Sequence, residues 1–218
     1  MFEQLKMQPQ DNIMALMAEF ANDKRSEKID LGVGVYKDKF GNTPVMSAVK
    51  TAEKLLLESQ TTKRYVGLLG SLGFIEQMIK FSLGGVVPFS RVRGAQAPGG
   101  TGALHQLFLL VRETRSNPTI WVPDPTWPNH PAILNHLGLQ IKTYRYFDDT
   151  TCEVNFHGMK EDLSQAKPED VILLHGCCHN PTGANLTIEN WENIADTCIS
   201  RHLIPLIDLA YQGFGDGL

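Results

Sequence analysis

Two short motifs near the end of the chain place polar groups directly after apolar runs: His175-Gly-Cys-Cys-His-Asn-Pro-Thr-Gly183 and Asp208-Leu-Ala-Tyr211. The preceding runs, Val171-Ile-Leu-Leu174 and Leu203-Ile-Pro-Leu-Ile207, read as buried strands of a parallel sheet, because they are apolar without alternation. Asn180, Asp208 and Tyr211 then fall at the carboxyl ends of those strands. That edge is where open α/β sheets place their ligands. An aspartate closing an apolar strand is expected to be buried and to need a partner. A backbone amide or a neighbouring histidine such as His175 would serve.

Ala97-Pro-Gly-Gly-Thr-Gly-Ala-Leu104 is expected to join a strand to a helix. Its glycines let the backbone approach an anion, and a helix N-terminus adds free N–H groups and a positive dipole end. Thr101 adds a hydroxyl donor. The loop suits a single phosphate, or else is a tight turn with no ligand. It lacks the Gly-Lys-Ser/Thr ending of a P-loop. Gly32-Val-Gly34 lacks the third glycine of a dinucleotide fingerprint, and no helix is expected to follow it.

Trp127, within Val122-Pro-Asp-Pro-Thr-Trp-Pro-Asn-His130, is either a packing lid or a platform for a flat ring. The phosphate-type loop and Asp208 on the same sheet edge favour the platform. His175, Cys177, Cys178 and His179 are metal-ligand types, but adjacent cysteines point apart and no second pair lies at zinc-site spacing. No metal is expected, and both cysteines read as small buried apolar residues.

Regular elements must hold these groups in place. Asp11 can cap a helix with apolar positions Ile13, Met14, Leu16, Met17 and Phe20. Ile29-Asp-Leu31 is a short extended piece, and a turn at 41–44 precedes a second helix over about 47–59. Strands are expected near 92–97, 119–122, 139–144, 171–174 and 203–207, with helices near 101–115, 128–137, 156–166 and 188–201. Such alternation implies a parallel sheet covered by helices on both faces.

Composition excludes several function classes. The 218 residues carry 20 Lys+Arg against 24 Asp+Glu, a net charge of −4. There is no basic surplus to neutralise a phosphate backbone, so no nucleic-acid partner is expected. No apolar run nears the roughly 18 residues of a membrane span, and the N-terminus lacks the pattern of a signal peptide. Four cysteines are too few for a disulfide scaffold, and a reducing, cytoplasmic setting is expected.

Taken together, these motifs resemble the class I aminotransferases, and among them the aspartate/aromatic subgroup. The likeness runs from Leu31-Gly-Val-Gly-Val-Tyr-Lys-Asp38 to Tyr211-Gln-Gly-Phe214. The resemblance implies an α/β fold: an incomplete three-layer α/β/α large domain of the fold-type I transferases. Residues 1–44 would form an N-terminal arm and part of the small domain, and 45–218 the partial large domain. It implies pyridoxal 5′-phosphate as cofactor, an aromatic or acidic L-amino acid and a 2-oxo acid as substrates, and a homodimer.

By matching motifs, Gly99, Gly100 and Thr101 would hold the cofactor phosphate, and Tyr65 would reach the phosphate of the partner subunit. Trp127 would stack on the ring and touch substrate. Asn180 and Tyr211 would donate to the ring oxygen, with Asn180 and Gly34 also near substrate. Asp208 would pair with the ring nitrogen and keep it protonated, so that the ring draws electrons from a substrate carbanion. His130 and His175 would orient Asp208.

The chain also departs from the family pattern. The loop begins Gly99-Gly100-Thr101 where many relatives have serine first, and Leu69-Gly-Ser-Leu-Gly-Phe74 lacks the usual acidic and proline residues. The last lysine, Lys167, precedes both Asn180 and Asp208. The family's cofactor-holding lysine and both substrate-carboxylate arginines are expected beyond Leu218, which implies no catalysis by these residues alone. The alternatives are a non-catalytic remnant, or a fragment needing a complementary C-terminal piece. The family's sheet order, 3-2-4-5-6-7-1, further implies that the strand near 92–97 lacks its neighbours.

Overall fold

The computed structural model describes residues 3, 12–30, 32 and 34–217. The chain forms two compact units, Met1–Arg64 and Tyr65–Leu218. In the first lie α1 (Asn12–Asn22) and α2 (Ser47–Ser59), the latter exposed along its whole length. Asp11, the expected cap of α1, and Leu31 lie outside the described residues. At the other end of α1, the Lys28 ammonium donates to the carbonyls of Phe20 and Asp23 and ties down the helix C-terminus.

The second unit runs α3 (Leu72–Leu83), α4 (Gly99–Thr114), β1 (Thr119–Asp124), α5 (Asn129–His136), β2 (Gln140–Arg145), the short pair β3 (Phe147–Asp148) and β4 (Glu153–Val154), α6 (Phe156–Leu163), β5 (Val171–His175), α7 (Ile188–Arg201) and β6 (Ile204–Asp208). Four strands form one parallel sheet in the order β2-β1-β5-β6. This is the order the resemblance implies for its second to fifth strands. Local signals set the helix starts. Ser71 caps α3 by accepting from Phe74 N–H, Asn155 caps α6, and Thr187 with Asn190 makes a capping box on α7.

Strand periodicity builds a core on each face. Ile120 and Val122 of β1, with Val171 and Leu173 of β5, pack against Leu104 and Phe108 of α4 and Ile133 and Leu134 of α5. The intervening residues, Trp121, Ile172 and Leu174, pack against Met159 and Leu163 of α6 and Ile194 and Cys198 of α7. β5 is buried at every position, which explains its unbroken apolar sequence. Among the described residues, no helix is long and apolar enough to cross a membrane.

One expected strand is not formed. Residues 92–97 join no ladder. Instead the segment is bound to the start of α3: Gln96 N–H donates to the Leu69 carbonyl at 2.8 Å, and the Gln96 side chain accepts from Ser71 N–H at 2.9 Å. Gly94 permits this approach, since a Cβ there would lie 2.6 Å from Ile75 Cγ2. These contacts hold the segment without a neighbouring strand, which the implied sheet order had left it lacking.

Asp170 joins the elements at the lower end of the sheet. It is 6% exposed and accepts from Trp121 Nε1 at 3.0 Å, Thr119 N–H at 3.2 Å and Lys167 N–H at 2.9 Å. Its own carbonyl accepts from Ile204 N–H at 2.9 Å. Asp170→Ala would orphan a buried indole N–H and two backbone donors, so we expect a loss of about 3 kcal/mol in urea unfolding. Asp170→Asn should recover part of it. An unchanged midpoint for the alanine variant would show that these bonds do not hold the sheet.

Candidate functional site

The chain leaves β1 outward to β2 and returns to β5 on the other side of β1, so the sheet has a switch point between β1 and β5. A cleft of about 150 Å³ opens along the carboxyl ends beside it. Its lining comes from four places: Gly100 at the start of α4, Trp127 after β1, His175, Cys177 and Asn180 at and beyond the end of β5, and Asp208, Ala210 and Tyr211 at and beyond the end of β6. The β5–β6 register pairs His175 with Asp208, which brings the first residues of the two sequence motifs side by side.

Asp208 is 19% exposed at its side chain, less buried than its place at the end of an apolar strand predicts, because the carboxylate opens onto the cleft. Its protein partner is His130 and not His175. His130 Nε2 lies 3.0 Å from Asp208 Oδ2, and the His130 side chain is completely buried. His130 Nδ1 lies 2.8 Å from the Thr126 hydroxyl. Both contacts are satisfied when Nε2 carries the proton and donates to the carboxylate while Nδ1 accepts from Thr126. Asp208 Oδ1 keeps no protein donor among the described residues. The carboxylate is therefore fixed from behind and open in front.

Two more histidines continue the cluster. His175 meets His130 edge to face at 5.2 Å, and His179 lies 4.4 Å beyond His175 with Tyr146 stacked on it at 3.9 Å. Asn180 N–H donates to His175 Nδ1 at 3.2 Å, which leaves the proton on Nε2, buried and without a partner among the described residues. The Thr182 hydroxyl accepts from Ala184 N–H and lies 2.8 Å from His179 Nδ1. Burial, reinforced by repulsion from His130, pushes His175 down to about 4, against a smaller opposing pull from Asp208. Burial and its two histidine neighbours push His179 down to about 3. Both imidazoles are neutral at pH 7.

The structure brings together Gly100, Trp127, His175, Asn180, Asp208 and Tyr211, with His130 directly behind Asp208. Trp127 also packs on the core beneath and meets His130 edge to face at 5.3 Å. Gly99, Thr101 and Tyr65 do not line the cleft, and Tyr65 is fully exposed. Gly34 falls in the first unit, with open space where a Cβ would sit. Cys177 and Cys178 are half-buried and not buried, because the chain turns at the cleft wall there. Sequence reasoning missed Thr126, whose only signal is its place four residues before His130.

The family model described as aminotransferase class I and II matches residues 26–218. The chain is 53% identical over its whole length to an aromatic-amino-acid aminotransferase of Paracoccus denitrificans, covering 55% of that protein. It is 42% identical to an aspartate aminotransferase of Escherichia coli (strain K12), covering 56% of it. It thus spans about half the length of the curated relatives it matches. Among solved structures, an aromatic amino acid aminotransferase with 3-indolebutyric acid superposes with a TM-score of 0.96 at 52% identity, with all of this chain and 55% of that one covered. An aromatic-amino-acid aminotransferase from Burkholderia pseudomallei, covalently bound to pyridoxal phosphate, superposes with a TM-score of 0.95 at 36% identity, again over all of this chain and 55% of that one.

The neutral histidines make stability depend on pH. Unfolded, each takes up its proton near pH 6.5, while folded they resist until about 4 and about 3. Their contribution is therefore complete above pH 6.5 and is lost as pH falls toward 4 and below. Urea unfolding should show falling stability from pH 7 to pH 5, with a shallower fall in His175→Gln. Equal slopes for the two proteins would contradict the depressed His175.

Proposed function

The chain belongs to the class I and II aminotransferases, and from that premise we propose that the whole protein moves an amino group between an aromatic or acidic L-amino acid and a 2-oxo acid, with pyridoxal 5′-phosphate as cofactor. The observation that carries this reading is Asp208, held from behind by a buried His130 and presenting a free oxygen to a cleft that Gly100 and Trp127 also line. A carboxylate so placed suits a cationic ring nitrogen and gains nothing from a bare anion. The substrate classes follow the names of the relatives, aromatic and aspartate aminotransferases alike.

In this proposal Gly99, Gly100 and Thr101 hold the phosphate at the start of α4. Gly99 has a φ of +69°, and a Cβ at Gly99 or Gly100 would meet nothing within 4 Å, so an anion has room to approach. Trp127 supplies the stacking platform. Asn180 and Tyr211 donate to the ring oxygen, and Asn180 and Gly34 also serve the substrate. His130 and His175 orient Asp208. When bound, the cofactor supplies an electron-withdrawing ring that takes up the electron pair left as the substrate loses its α-proton. Asp208 keeps the ring nitrogen protonated, and Trp127 restricts the ring to one plane.

Tyr65 is fully exposed, which supports its reaching the cofactor phosphate in a second copy, and so a homodimer. Residues 1–44 are assigned to the arm and small domain, 45–218 to the large domain, and the protein to the cytoplasm on its cysteine usage. The acidic net charge of −4 supports small-molecule and not nucleic-acid partners. Among the described residues no lysine lines the cleft, so the group that would shuttle the substrate proton is not among these lining residues.

Two outcomes test the proposal. Titration with pyridoxal 5′-phosphate, followed by absorbance and tryptophan quenching, should show saturable binding that weakens about 10- to 100-fold in Asp208→Asn. The same preparation, given 2-oxoglutarate and aspartate or phenylalanine, should show no turnover. Equal affinity in the variant would remove Asp208 from the site, and turnover would show that the proton carrier lies within these residues.

A further inference from the structure

Residues 176–187 connect β5 to α7 without helix or strand, yet they carry Asn180 to the cleft. A side chain on such a loop keeps a fixed place only when a rigid element holds the loop. Bonds within the loop close a turn: Gly183 N–H donates to the His179 carbonyl at 2.6 Å, and Ala184 N–H to the Thr182 hydroxyl at 3.2 Å. They do not fix where the turn lies over the sheet.

Tyr146, between β2 and β3, reaches that turn from outside. It is 2% exposed, and its main chain is fixed twice. Its N–H donates to the Asp124 carbonyl at the end of β1 at 3.3 Å, and its carbonyl accepts from Asn155 N–H at 2.8 Å. From this anchor the side chain touches the loop on both sides of Asn180. The ring stacks on His179 at 3.9 Å with 21° between the planes, and the hydroxyl donates to the Ala184 carbonyl at 2.7 Å. Burial pushes the Tyr146 phenol well above its ordinary value, so it remains a donor at neutral pH.

We propose that Tyr146 is a positioning residue for Asn180: its ring and hydroxyl clamp the loop at residues 179 and 184 and so set the carboxamide in the cleft. In the function proposed above, on which this rests, Asn180 donates to the ring oxygen of the cofactor. The hydroxyl distinguishes the clamp from packing. Tyr146 also belongs to the apolar cluster of Trp121, Met159 and Leu163, where a phenylalanine would pack without a polar group to satisfy. The hydroxyl finds its acceptor in the loop that bears Asn180, so its loss should be felt there and not in the sheet.

Tyr146→Phe keeps the ring and removes only the hydroxyl. In the cofactor-free chain, hydrogen exchange should quicken about 10-fold at the Gly183 and Ala184 amides while β5 stays protected. Affinity for pyridoxal 5′-phosphate should fall about 5-fold, the worth of one hydrogen bond. In an Asn180→Ala background the same change should cost nothing further. An equal loss in both backgrounds would make Tyr146 merely structural and overturn the proposal, as would unchanged exchange in the loop. Lost protection across β5, or failure to fold, would show that the hydroxyl supports the core and would overturn it equally. If the unaltered chain does not bind pyridoxal 5′-phosphate, or Asn180→Ala binds it as well, the function proposed above fails instead. Exchange at Gly183 and Ala184 then still decides whether Tyr146 holds the loop.

Discussion

A buried imidazole bonded at both nitrogens is the constraint on which the cleft depends. His130 has no exposed side-chain surface, so each ring nitrogen must find a partner inside the protein. Thr126 takes one side and Asp208 the other. The first partner sits at the turn after β1 and the second at the end of β6, so the pairing fixes two separate strand ends against each other. Losing Asp208 would leave a buried nitrogen unpaired, and losing His130 would free a carboxylate at the cleft. Geometry and electrostatics are therefore carried by the same hydrogen bond.

The rest of the second unit serves to hold that bond in place. The alternation along β1 and β5 divides the core between α4/α5 and α6/α7, which sets the height of each strand. Asp170 fastens β1 and β6 to the segment before β5 at the opposite end of the sheet. Behind the cleft, His175 and His179 are held neutral by burial. Neither of these two rings therefore brings a positive charge to the cleft at neutral pH.

Much of this was legible in the sequence where one signal dominated. β5 is recognisable from its apolar run, and α2 begins and ends as the periodicity predicts, at Ser47 and Ser59. Asn180, Asp208 and Tyr211 were placed by a single rule, that ligands gather at the carboxyl ends of parallel strands. The misreadings arise where tertiary contacts decide. The unpaired segment 92–97 is not among them, since the family's sheet order implied that it would lack a neighbour, and Gly94 lets it lie against Ile75. The β3–β4 pair consists of two-residue strands, too short for any period to show. The choice of His130 over His175 as partner of Asp208 depends on where the start of α5, 78 residues earlier, comes to lie.

The central claim is that Asp208, set by His130, receives a ring nitrogen in this cleft. A crystal structure of the chain grown with pyridoxal 5′-phosphate tests it most directly. The ring nitrogen should lie within hydrogen-bond distance of Asp208, with the ring against Trp127 and the phosphate at the start of α4 by Gly100. A cofactor bound with its ring nitrogen away from Asp208, or bound outside the cleft, would contradict the claim.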